Sequence, residues 1–93
     1  MRRLVLLLAL AAALAGAAPA AAATDRGIVV RVRPWVLVLR ELDGTRVRIP
    51  VGPATRVVRD GFPATLAELQ RGDVAIVVHF GNRPAVRIRA FSQ

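Results

Sequence analysis

Arginine is the residue type with the clearest chemical pattern in this chain. Six arginines alternate with apolar residues in three short stretches, at Arg31, Arg33, Arg46, Arg48, Arg87 and Arg89. On strands, this spacing places all six guanidinium groups on the face opposite the apolar residues. A guanidinium group binds phosphate or carboxylate through two parallel hydrogen bonds. If the strands are neighbours, the pattern predicts an anion-binding surface; the alternative is a solvated outer face that reflects the arginine bias of a GC-rich bacterial genome.

Residues suited to catalysis or metal binding are sparse. His79 is the single histidine, and the chain has no cysteine. A zinc site takes four protein ligands, or three and a water molecule, so we expect His79 to lie at the surface or at a barrel rim. Asp43, Asp60 and Asp73 each stand beside a glycine, where aspartate favours turn geometry. The lone serine, Ser92, is close to the C-terminus, and no glycine-rich phosphate loop precedes a helix. The sequence therefore predicts a non-enzymatic protein with no catalytic residue, metal or cofactor.

The first 23 residues have the order of a secretory signal peptide, here called the leader. A cationic start is followed by an apolar segment at 4–15 and by Ala-x-Ala sites that end at Ala20 and Ala23. We expect cleavage near Ala23, with Ala20 as the other site, and a secreted or periplasmic product without stable membrane insertion. The alternative is an uncleaved anchor, because about 20 apolar residues can span a bilayer.

Removal of the leader changes the composition. The full chain has 93 residues and a net charge of +8, whereas residues 24–93 carry 12 arginines, six acidic residues and a net charge of +6. These 70 residues form one small domain. Since there are no cysteines for disulfides, strand pairing and a core of valine, isoleucine and leucine must stabilise it.

Short apolar runs separated by turn residues predict an all-β domain. We expect strands at 28–33, 35–42, 45–51, 55–59, 74–80 and 85–91. Alternation places a small set of residues inward on the first, second and last of them, namely Ile28, Val30 and Val32, then Trp35, Leu37 and Leu39, then Val86 and Ile88. Asp43-Gly44 predicts a tight hairpin turn.

A single short helix is expected at 65–70. Thr65 and Glu68 have the spacing of a capping box at its start. A small sheet with one apolar face can cover that face by rolling into a barrel, which also removes exposed edges. The sequence therefore predicts a partly open, OB-like or SH3-like barrel of five to six strands, with the helix closing one end.

Several of these turn and strand signals together carry a resemblance. They are Gly27-Ile28-Val29, Asp43-Gly44, Thr55, and the series Leu66, Leu69, Gly72-Asp73 and Val77. In this order they resemble a small OB-like barrel domain of exported bacterial proteins, one of the class of domains of unknown function. The resemblance covers 27–88 and implies a fold, but no activity and no site residues.

Two functional hypotheses follow. The first is an exported binding module that engages an anionic envelope polymer or glycolipid through its arginines. The alternative is a structural or protein-interaction module of the envelope with no small ligand, which joins another exported protein at a strand edge near Val86 or Ile88. We expect no nucleic-acid partner, because one tryptophan and three phenylalanines offer little stacking surface and the chain is expected to be exported.

Overall fold

The computed structural model describes residues 21–93, so the leader prediction falls almost entirely outside the described residues. The described part confirms the all-β prediction, with one turn of 3-10 helix at Leu66–Glu68. Its seven strands are β1 Ala22–Arg33, β2 Val36–Arg40, β3 Arg46–Pro50, β4 Arg56–Arg59, β5 Phe62–Ala64, β6 Val74–Phe80 and β7 Arg87–Phe91. β1 includes the last two residues of the expected leader, Ala22 and Ala23.

All seven strands belong to one mixed sheet in the order β3-β2-β1-β6-β7-β4-β5. Every neighbouring pair is antiparallel except β4 and β7, which are parallel. The sheet is not closed into a barrel, because β3 and β5 are its two ends. A backbone hydrogen bond of 2.9 Å from Ala85 N to Pro50 O nevertheless joins the end of β3 to the segment before β7.

β1 is long because its two halves pair with different strands. Its first half, up to Ile28, lies against β6, and its second half lies against β2. The register shifts at Val30, which is a β-bulge. The expectation that Ile28 and Val30 point inward was therefore wrong: Val29 is fully buried, and Ile28 is 37% exposed on the outer face. Gly27 allows the close approach of β2 here, since an added Cβ would lie 2.5 Å from the carbonyl oxygen of Arg40.

The entry into β7 is also irregular. Val86 donates its N–H to Val78 O, on the β6 side, whereas its carbonyl accepts from Arg56 N, on the β4 side. In a regular strand both groups of one residue point to the same side, so the chain is kinked at Val86. The expected inward position of Val86 was therefore wrong; it is 48% exposed, and its neighbour Ala85 is buried instead. Ile88 is inward and buried as expected, but β7 lies between β6 and β4 and is not an edge.

The turns differ from the sequence expectation at three places. Trp35 has a φ of 64° and lies in the β1–β2 turn, so β2 begins only at Val36. Asp60 and Gly61 both have positive φ and form a hairpin turn, as the turn residues at 60–63 predict, but the short strand β5 that follows was not expected. The expected helix is shorter, and the Thr65 hydroxyl bonds to the Glu68 carboxylate at 3.1 Å rather than capping a backbone N–H.

The core lies on the inner face of the sheet. Its fully buried members include large side chains from β1, β2, β6 and β7, among them Leu37, Leu39, Val77 and Ile88. Asp73 is the one buried charged residue within 21–93. Its carboxylate accepts hydrogen bonds from Arg59 Nε at 2.8 Å, from Arg59 Nη2 at 3.1 Å and from Gln70 N at 3.0 Å. This ion pair joins β4 to the turn before β6.

Candidate functional site

The arginines of β1 and β3 are brought together by the register of the sheet. Arg31 lies opposite Val38 of β2, and Val38 lies opposite Arg48 of β3. Residues opposite each other on neighbouring strands share a face, and strands are about 4.8 Å apart. Arg31 and Arg48 are therefore about 10 Å apart at the backbone by this spacing, with one valine between them.

The expectation that the six arginines lie on neighbouring strands is only partly correct. Arg87 and Arg89 lie on β7, which is separated from β1 by β6. Arg89 is opposite Ile76, and Ile76 is opposite Arg26 of β1. Arg87 pairs directly with Arg56 of the parallel strand β4. The six residues thus form two groups on the same outer face. One group lies on β1 and β3, and the other, Arg87 and Arg89, lies on β7.

Three further arginines belong to this face and were missed by the sequence analysis. Arg40 lies opposite Arg46 and Ile28, and Arg26 and Arg56 join the group around β7. Alternation along the second strand does predict that Arg40 shares a face with Val36 and Val38, but Arg40 was not included among the six anion-binding candidates. We call the full set the arginine face; it comprises Arg26, Arg31, Arg33, Arg40, Arg46, Arg48, Arg56, Arg87 and Arg89, all exposed.

Carboxylates are absent from the outward strand positions of residues 21–93. Asp73 is buried, Asp25 is directed to the inner face beside His79, and the other four acids lie in loops or turns. The ion pairs within 21–93 are Arg59–Asp73 and His79–Asp25, neither of which includes a member of the arginine face. The positive charge of this face is therefore not neutralised by direct side-chain pairing within the described chain.

The apolar residues between the arginines are half-buried. Val36, Val38 and Ile76 have intermediate exposure beneath longer neighbours. The Arg89 guanidinium lies 5.7 Å from the centre of the Phe91 ring, within the range of a cation–π contact. Arginine side chains commonly cover apolar surface with their stems while the charged group stays in water. The face can thus present cations without leaving a bare apolar patch.

His79 is held by contacts within the protein. Its Nε2 lies 2.5 Å from Asp25 Oδ2, and its Nδ1 lies 3.1 Å from Gly81 O, to which it donates because a carbonyl can only accept. Both ring nitrogens are occupied. In the described part of the chain, no three histidine, cysteine or acidic side chains are grouped so that they could hold a metal ion. The contact between His79 and Asp25 therefore links β1 to the end of β6.

An acidic end of the sheet lies beyond the arginine face. Contact with the Asp25 carboxylate, some burial and the charge of Asp43 raise the pKa of Glu41 above its usual value of 4.5. The backbone N–H of Thr45 donates to Asp43 Oδ1 at 2.8 Å and lowers the pKa of Asp43. Glu41 and Asp43 thus form a small acidic group that lies beside Arg26 at this end of the sheet.

Neither the helices of the described residues nor the comparisons with known proteins indicate a function. None of the helices described is long and apolar enough to cross a membrane. Comparison of the chain with protein-family models, with curated proteins and with solved structures found no match. The functional interpretation therefore depends on the geometry of the chain itself.

Proposed function

We propose that the protein is an exported, non-enzymatic binding module that holds an anionic polymer of the cell envelope on its arginine face. The observation that carries the proposal is the presence of nine exposed arginines on one face of a sheet, with no carboxylate at its outward strand positions. Guanidinium groups on that face are free to form paired hydrogen bonds with phosphate or carboxylate.

The spread of the arginines favours a polymer over a small anion. An exposed ion pair contributes about 0–1 kcal/mol, so one phosphate on one arginine would bind weakly. The backbone positions of Arg31, Arg33, Arg46 and Arg48 span three neighbouring strands. A chain with regularly spaced anionic groups can contact several of them at once, and linked contacts act at a high effective concentration. We therefore propose a phosphate-rich polymer as the ligand.

The fold also supports the more specific OB-like interpretation. β1 pairs with β2 through one half and with β6 through the other, and β4 runs parallel to β7. The Ala85–Pro50 hydrogen bond brings together β3 and the segment before β7, the two ends of the five strands β3-β2-β1-β6-β7. We propose that the domain is a partly open OB-like barrel, with the β4–β5 hairpin and the 3-10 turn in place of the expected helix.

Export is part of the same proposal and depends on the leader. Ala22 and Ala23 pair with Phe80 and His79. Cleavage after Ala23 would remove both residues from β1, whereas cleavage after Ala20 would retain the strand. We propose Ala20 as the site that preserves the sheet.

A binding measurement with a charge-matched control tests the function. Long-chain inorganic polyphosphate is titrated into the protein, and into a variant with Arg46→Gln and Arg48→Gln. The control variant carries Arg71→Gln and Arg83→Gln, which lie in turns off the arginine face and remove the same charge. We expect the first variant to bind at least tenfold more weakly at low salt and the control to change less than threefold. Equal weakening of both variants, or no binding of the unaltered protein, would refute the proposal.

A protein-interaction role is the second candidate, and one observation favours it. Phe62 is 74% exposed on β5, the last strand of the sheet, whose outer edge is unpaired within 21–93. A sheet edge can accept a strand from a partner. Capture of an envelope protein that is abolished by Phe62→Ser but unaffected by Arg46→Gln and Arg48→Gln would favour this role over polymer binding.

A further inference from the structure

A groove opens at one end of the sheet, away from the centre of the arginine face. Three chain segments form its walls: the β1–β2 turn at 33–35, the β3–β4 connection at 51–55 and the segment 64–67. Its volume is about 800 Å³, within the range of small-molecule sites. The 3-10 turn at Leu66–Glu68 is too short to cover this end, as the expected helix would have done.

The floor of the groove is aliphatic. Val51 and Val57 belong to the buried core, and Val32, Ala64 and Leu66 pack against it while partly exposed. The groove is thus the place where the inner face of the sheet reaches the solvent. A ligand with an aliphatic body would remove this surface from water, which is favourable by about 25 cal/mol per Å² of apolar area.

Trp35 stands at the mouth of the groove in a costly conformation. It follows Pro34 in the β1–β2 turn with a φ of 64°, and turns of this type strongly favour glycine or asparagine at that position. A left-handed φ costs a non-glycine residue about 1–2 kcal/mol. The indole is nevertheless 59% exposed, so burial of the side chain does not compensate for this strain. Strained residues of this kind occur at ligand sites.

The hydroxyl groups of the groove lining already have hydrogen-bond partners, whereas its one cationic side chain has no ion-pair partner within 21–93. The Thr55 hydroxyl donates to Ala85 O and accepts from Gly52 N, and the Thr65 hydroxyl bonds to Glu68. Arg33 is the single charged residue in the lining, and no carboxylate lines the groove. Arg33 also has no ion-pair partner within 21–93.

We propose that this groove binds an amphiphile with one anionic head group, a fatty carboxylate. The aliphatic chain lies on the floor of valine, alanine and leucine, the carboxylate pairs with Arg33, and Trp35 covers the bound chain. The branched aliphatic lining favours an alkyl chain over a flat aromatic ligand. The single cation favours one negative charge, in contrast to the polymer proposed for the arginine face.

Trp35 is the one tryptophan of the chain, so its fluorescence reports on the groove directly. Sodium decanoate, below its micelle concentration, is titrated into the full chain. We expect a saturable blue shift of the emission, because an exposed indole becomes covered. A parallel titration with 1-decanol tests the apolar floor alone, and acetate tests the charge alone. We expect weaker binding of decanol and none of acetate.

Two variants and one charge-matched control separate the groove from other surfaces. Arg33→Gln should weaken decanoate binding about threefold to fivefold, as expected for the loss of one exposed ion pair, and leave decanol unchanged, whereas Arg31→Gln removes the same charge two residues away, outside the groove, and should change neither. Ala67 is exposed in the lining, so Ala67→Phe should block both ligands without unfolding the domain. A non-saturable shift, or equal effects of Arg31→Gln and Arg33→Gln on decanoate binding, would overturn the proposal. Polyphosphate binding is measured on the same variants: Arg31→Gln and Arg33→Gln, both on the arginine face, should weaken it to a similar extent, whereas Ala67→Phe should leave it unchanged.

Discussion

Removal of the buried carboxylate of Asp73 should strongly destabilise the fold. In Asp73→Ala, three hydrogen bonds to Arg59 and Gln70 are lost. Breaking a buried ion pair by deletion of one partner costs about 3–5 kcal/mol. The Arg59 side chain remains 23% exposed and can return to water, so we expect the lower end, about 3 kcal/mol. A domain of this size has a free energy of unfolding of roughly 4–10 kcal/mol, so the variant should stay marginally folded.

Urea unfolding at pH 7 measures this loss. With an m-value of about 1–1.5 kcal/mol per M for a small domain, a loss of about 3 kcal/mol lowers the urea midpoint by roughly 2–3 M. Asp73→Asn retains one acceptor and should lose less. Asp43→Asn is the control, because Asp43 is exposed and its amide oxygen can still accept from Thr45 N; its free energy of unfolding should change by less than about 0.5 kcal/mol. A loss below about 1 kcal/mol for Asp73→Ala would refute the assignment of the ion pair as a major contact.

The same ion pair predicts a dependence on pH. The hydrogen bonds from Arg59 hold the pKa of Asp73 below its usual value of 3.8. A lowered carboxyl pKa adds stability above the unfolded-state value, and this stability is lost as the pH falls through the folded-state value. The difference in free energy of unfolding between the unaltered protein and Asp73→Asn should therefore be constant at neutral pH and shrink below pH 3.8. A difference that stays constant down to the acid transition would contradict this.

Three further substitutions test separate features of the fold. Gly27→Ala should destabilise the domain by about 1–3 kcal/mol, the usual cost of overpacking, because the Cβ of the alanine would lie 2.5 Å from Arg40 O. The melting temperature measures this loss. Glu41→Gln should raise the melting temperature at pH 7 but not at pH 4, because the raised pKa of Glu41 means that its ionised form is penalised in the fold above about pH 4.5. Trp35→Gly should stabilise the domain by roughly 0.5 kcal/mol. This value is the strain relieved at the positive φ minus the cost of the greater freedom of glycine in the unfolded chain. Loss of a packed tryptophan would instead cost about 3–5 kcal/mol.

Each of these three expectations has a clear contrary result. An unchanged melting temperature in Gly27→Ala would mean that β1 and β2 do not approach closely at this point. Equal effects of Glu41→Gln at both pH values would exclude the proposed electrostatic cause. A large loss of stability in Trp35→Gly would show that the indole is packed, and would remove the basis for its role at the groove.

Much of the architecture follows from the sequence because strands leave a two-residue pattern. β6 was expected at 74–80 and is observed at Val74–Phe80. The alternation in β3, with exposed Arg46 and Arg48 and buried Ile49, is also confirmed. Both strands are regular, so one register accounts for every residue.

The errors occur where a single residue interrupts that pattern. The bulge at Val30 inverts the faces of the first half of β1, and the kink at Val86 does the same before β7. A bulge depends on the pairing of strands far apart in sequence, so alternation alone cannot locate it. Trp35 was assigned to the second strand because it alternates with Leu37 and Leu39, but it lies in the turn that follows Pro34.

The candidate site was predictable in composition but not in arrangement. Six arginines of the face were identified from spacing, but the distance between them depends on strand order, which places β6 between β1 and β7. The groove could not be predicted, because it forms where the 3-10 turn fails to cover the inner face. The Arg59–Asp73 pair was not predicted, because Arg59 was placed at the end of a strand and Asp73 in a turn, and nothing in the sequence pattern indicates that the two lie close together.

The salt dependence of polyphosphate binding tests the central proposal most directly. For a single-stranded polyanion, the logarithm of the binding constant falls with the logarithm of salt concentration by about 0.7 per neutralised phosphate. If Arg46 and Arg48 each contact the polymer, their double substitution to glutamine should reduce this slope by about 1.4, whereas substitution of Arg71 and Arg83 should leave it unchanged. The same reduction in both variants would show that only net charge attracts the polymer, and would contradict an arginine face that binds it.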